Sequence, residues 1–141
     1  MENAGVHVVG GQVADPVAGL VFGLGLMALG VAIHCVKSKV ASGSIQRNSA
    51  IGIRTKATMS SDSAWQAGHV AAAPMLTATF LTAYAMGVIS LALGLMSTLS
   101  DAKNTPVMVI PPGGLVTVLA LLVVAAIKAN SVARAVGHSD M

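Results

Sequence analysis

Charge is what this chain has least of. Only 9% of its 141 residues are Asp, Glu, Lys or Arg, against roughly 25% in ordinary globular proteins. Apolar residues make up 55% and the mean hydropathy is +0.79, so too little polar surface exists to cover a water-soluble core. A soluble domain is excluded. One cysteine, Cys35, excludes an internal disulfide and any CxxC metal or redox pair. No Lys or Arg precedes the first apolar run, which therefore lacks the basic region of a secretory signal and is expected to be retained.

Catalytic patterns are missing as well. No GK[ST] phosphate cradle, HExxH or GxSxG is present, and the acids are scattered between Glu2 and Asp140. The expectation is a single-domain protein over 1–141 that is not an enzyme. No metal, cofactor or nucleic acid is expected to bind it.

Apolar runs are what remains. Pro16 to Val36 holds 21 residues without a formal charge, which matches the ~20 helical residues needed to cross a bilayer. Pro16 suits a first helical turn with Asp15 as its cap. A second span covers about 75–98, with Pro74 where a helix can begin or bend. The third is placed at about 112–132, because PPGG at Pro111–Gly114 argues against helix through that point. The fold expected is all-α: three transmembrane helices, with a short cytosolic interfacial helix before the second. Gly19, Gly23 and Gly30 on the first helix, and Ala83, Gly87, Ser90 and Gly94 on the second, form small-residue faces suited to close packing in lipid.

Basic residues orient the spans. Lys37, Lys39, Arg47, Arg54 and Lys56 lie in the first connector and Lys128 and Arg134 near the C-terminus, whereas the second connector has only Lys103. The positive-inside rule then puts the N-terminus outside, and the C-terminus and the loop 37–73 on the cytosolic side of the membrane.

That loop carries most of the polar detail. Its last part, DSAWQAGHVAAA, fits a helix capped by Ser61, with Asp62, Trp65, Gln66 and His69 on one arc and Ala64, Ala67, Gly68 and Ala71 opposite. Arg54 is the natural partner for Asp62. Each residue also has a plainer role. Trp65 suits the aromatic belt, Arg54 and Lys56 suit anionic lipid, Asn48 and Gly52 suit turns, and His69 suits a satisfied polar position.

The run N-x-x-x-G-I-R-T-K-x-T followed by S-D-x-x-W-x-x-x-H spans Asn48 to His69, through Gly52, Ile53, Arg54, Thr55, Lys56, Thr58, Ser61, Asp62 and Trp65. It resembles the signature of the SdpI family of bacterial membrane proteins, over the loop and its flanking spans. For the immunity protein after which that family is named, the resemblance implies protection from a secreted peptide toxin and sequestration of a cytosolic repressor. On this reading the binding residues are Asn48, Gly52, Arg54, Thr55, Lys56, Asp62, Trp65 and His69. Arg54 would hold a carboxylate, Asp62 would orient it or fix the loop, and Trp65 and His69 would offer an aromatic and titratable surface. Asn48 and Gly52 would hold the backbone.

Two other functions fit the same residues. One is an accessory subunit of a larger membrane transporter or envelope-biosynthesis complex. The other is a respiratory anchor in which His34 and His69 meet a haem or a quinone. Besides the lipid bilayer, the expected partners are a larger integral membrane protein or further copies of the chain, and a peptide toxin or cytosolic regulator.

Overall fold

The computed structural model describes residues 16–47, 50–100 and 106–139, and the described residues hold three helices: α1 (Pro16–Ala41), α2 (Asp62–Ser100) and α3 (Pro106–Ser139). All three are long and apolar enough to cross a membrane. Their outer faces carry Val21 and Leu24, Leu81 and Val88, Val116 and Ile127, each more than half exposed. Water would not tolerate that surface; lipid does. This is a multi-pass membrane protein.

Local chemistry sets the helix ends at the first connector. Gly43 takes φ 74, the left-handed turn that ends α1, and the Ile45 N–H closes back on the Lys39 carbonyl at 3.1 Å. Ser61 Oγ accepts the Ala64 N–H at 3.1 Å, capping α2, with Asp62 in its first turn. The cap falls where the sequence placed it.

Two expectations change. The interfacial helix is not a separate element, because residues 62–73 run without a break through Pro74 into the rest of α2. Pro74 is exposed, so its ring points away from the bundle, and the helix continues past it with one backbone hydrogen bond missing. At 39 residues, α2 is about 58 Å long by helix rise, well beyond the ~30 Å hydrocarbon core. The PPGG stretch likewise lies inside α3 rather than before it. Pro111 is buried, and a β-carbon on Gly114 would come within 2.8 Å of Met86. Contact with α2 thus holds this turn in helix. The two carbonyls that lose donors, at residues 107 and 108, lie next to the helix start.

Packing follows the small residues. α1 and α2 run antiparallel, and a β-carbon on Gly19 would sit 2.9 Å from Gly94 Cα. One on Gly30 would meet Tyr84 at 2.7 Å, and one on Gly87 would meet Met27 at 2.9 Å. The expected small-residue faces therefore meet. On the other side of α2, Gly68 approaches the Ala129 carbonyl, and Ala125, Ala129 and Ala133 are fully buried. α2 is the shared wall, and α1 and α3 touch each other far less. The core joins Leu26, Ile33, Leu76, Phe80 and Val118 across all three helices. This topology brings the C-termini of α1 and α3 and the N-terminus of α2 to one end. The connector 42–61 and seven of the eight basic residues gather there.

Candidate functional site

The connector folds onto that end through a small set of contacts, and His69 is at their centre. The Ile53 N–H donates to His69 Nε2 at 2.9 Å, and His69 Nδ1 lies 2.9 Å from the Trp65 carbonyl. A backbone amide can only donate, so Nε2 is the acceptor, Nδ1 carries the proton, and the ring is neutral. His69 and Trp65 are 5% and 3% exposed, with ring centroids 4.1 Å apart. Trp65 also packs on Val40 and Ile45, the residues on either side of the α1 cap.

Gly52 makes this approach possible. It has φ 122, and a β-carbon there would fall 2.6 Å from the Trp65 ring and 3.0 Å from His69 Nε2. Only glycine both adopts that backbone and leaves the space.

A second knot fixes the next residues. Thr58 Oγ1 donates to the Ile53 carbonyl at 2.8 Å and accepts the Thr55 N–H at 2.9 Å, while Thr55 Oγ1 accepts the Thr58 N–H at 3.1 Å. Thr58 is fully buried, and its methyl fills the space left by Gly68. The connector is thereby clamped against α2 where α2 meets α3.

The expected site residues thus divide. Gly52, Thr55, Trp65 and His69 come together as an internal frame, in which Trp65 and His69 are almost wholly enclosed. Trp65 is not a belt residue. Arg54 and Lys56 are exposed. Asn48 lies outside the described residues. Asp62 pairs with Arg47 rather than with the expected Arg54: Nε donates to Oδ1 at 2.7 Å, and Nη1 donates to the Met59 carbonyl at 3.1 Å. Arg47, Asp62 and Gln66 line a polar recess of about 380 Å³ beside Trp65. Sequence reasoning missed Arg47 and Thr58 as contributors. Thr55-x-x-Thr58 was a usable signal, since such spacing favours side-chain-to-backbone turns; Arg47 had none.

The haem arrangement does not fit these bonds. Both His69 nitrogens are committed within the protein, and His34 stacks on Phe80 at 4.5 Å. An iron ligand at His69 would have to displace the Ile53 amide or the Trp65 carbonyl.

The SdpI/YfhL protein family model matches residues 44–127, from the start of the connector through most of α3. The chain belongs to the SdpI/YfhL family. No match was found among curated proteins or solved structures. The match contains every residue of the frame, together with Arg47 and Asp62, so the SdpI signature coincides with the clamped connector.

Proposed function

We propose that this SdpI-family chain is a non-enzymatic membrane binding protein whose connector docks a peptide toxin or a regulatory protein on the cytosolic side. One observation carries the reading: the connector is clamped by the Ile53–His69 bond over Gly52 while Arg54 and Lys56 stand exposed. A slack linker would need none of these bonds. A rigid platform presenting two cations suits recognition of an acidic or carboxylate-bearing partner. In this reading Trp65 and His69 position the platform and do not touch the partner. The absence of any nucleophile–base motif in the sequence supports a non-catalytic role.

The orientation is part of the proposal. Seven basic residues at the connector end favour placing that end in the cytosol. The test combines membrane capture with a toxin-survival assay on cells expressing the wild type or Arg54→Ala. Binding and protection that are lost in Arg54→Ala, with membrane insertion unchanged, support the reading. Full binding by the variant refutes it. A stoichiometric integral partner with no change in toxin survival assigns the alternative role of accessory subunit. Cysteine labelling at position 56, in a chain with Cys35→Ser, checks the orientation, since reaction from the periplasmic side overturns it.

A further inference from the structure

A largely apolar cleft of about 240 Å³ opens beside the frame, lined by Ile33, Val36, Ile51, Ile53 and Leu122, with Lys37 and the neutral His69 ring also in its wall. Apolar cavities near 150 Å³ already accept a benzene-sized guest, so this volume admits part of an alkyl chain. Its height in the membrane is set by the sequence. Ile33 and Val36 end the uncharged run of α1, and Lys37 is the first charge after it. The cleft therefore straddles the boundary between hydrocarbon and headgroups, with its cation on the headgroup side.

Lys37 is well placed for an anion. Its ammonium lies over the face of Phe80, 5.6 Å from the ring centroid. Asp62 is the one acid among the described residues, and it is held by Arg47. Apolar lining with a single cation at the headgroup edge matches an amphiphile with an acidic head. We propose that this cleft binds one anionic glycerophospholipid of the connector-side leaflet, with part of an acyl chain against Ile33, Ile53 and Leu122 and the phosphate at Lys37. The site does not depend on partner docking: Arg54 and Lys56 are not among its lining residues.

Because Ile51, Gly52 and Ile53 form one wall of the cleft and also cover Trp65 and His69, a seated chain would brace the connector. Bound lipid therefore protects the loop as well as filling space.

Native mass spectrometry of the detergent-solubilised full chain, titrated with dioleoyl phosphatidylglycerol or dioleoyl phosphatidylcholine, tests this. The expected preference for the anionic lipid is about fivefold, from the roughly 1 kcal/mol that one basic residue contributes at an anionic surface. Lys37→Gln should remove the preference, and Ala32→Trp, at the exposed rim, should weaken both lipids. Circular dichroism confirms that both variants keep their helices. Inorganic phosphate in millimolar excess should not displace the lipid. An unchanged preference in Lys37→Gln, or undiminished lipid binding by a folded Ala32→Trp chain, overturns the proposal. So does efficient disulfide dimerisation through Ala32→Cys in a chain carrying Cys35→Ser, which would assign the cleft to a second copy.

Discussion

Replacing Gly52 with alanine tests the frame at its tightest point. The new methyl would begin 2.6 Å from the Trp65 ring and 3.0 Å from His69 Nε2, on a backbone with φ 122. The left-handed conformation alone costs about 1–2 kcal/mol for a residue with a side chain. Crowding a packed site adds about 1–3 kcal/mol. A local penalty of about 2–5 kcal/mol raises the open population of the connector by about 30- to 5000-fold. Gly43→Ala is the internal control: its φ is 74, but nothing lies within 4 Å of the added carbon, so only the backbone part applies. The chain has one Trp, Trp65, whose emission reports the frame directly. Gly52→Ala should shift that emission to the red and speed tryptic cleavage after Arg54 and Lys56, with helix content unchanged. If Gly52→Ala and Gly43→Ala behave alike in both assays, the clamping of the connector by Trp65 and His69 is wrong.

Three further outcomes follow from the same contacts. A second proton on His69 removes the acceptor for the Ile53 amide, so the protection of that amide, measured against its intrinsic exchange rate at each pH, should fall as pH falls. His69→Phe should leave that amide open at every pH, at a cost of about 1–3 kcal/mol for a buried unmet donor. Gly94→Leu should separate α1 from α2, since Gly94 already lies within 2.8 Å of Leu20 N by its would-be β-carbon. Its thermal aggregation midpoint in detergent should fall, whereas Gly25→Leu, at an open position, should leave the midpoint unchanged. Asp62→Ala should cost at most about 1 kcal/mol, because that side chain is 86% exposed. Arg47→Ala should cost more in a denaturant titration, because it also abandons the Met59 carbonyl.

Sequence reading reached furthest where a local rule decides. The three apolar runs, the Ser61 cap and the glycine faces of α1 and α2 are all written in consecutive or helically spaced residues, and the structure has each of them. It went wrong where distant packing overrules local preference. Pro111 and Pro112 read as a helix break, yet contact with α2 around Met86 and Gly114 holds that turn in helix. Trp65 read as a surface residue, because the preference of Trp for the membrane interface is known without the fold. Residues distant in the chain enclose it, among them Val40 and Ile45 from the α1 exit and Gly52 from the connector. The choice of Arg47 over Arg54 for Asp62 depends on the path of an irregular connector, which no spacing rule encodes. Gly52 was marked as a residue that shapes a turn and holds the backbone; its contact with two rings required coordinates.

With α2 serving as the common wall, the molecule is two hairpins sharing a strut. Damage confined to the seam on one side should leave the other hairpin assembled, so half-built species of defined composition become accessible. The connector reaches across both seams, touching Val40 and Trp65 on one and Gly68 on the other. It can close only after each has formed, which makes its protection from protease a readout of complete assembly.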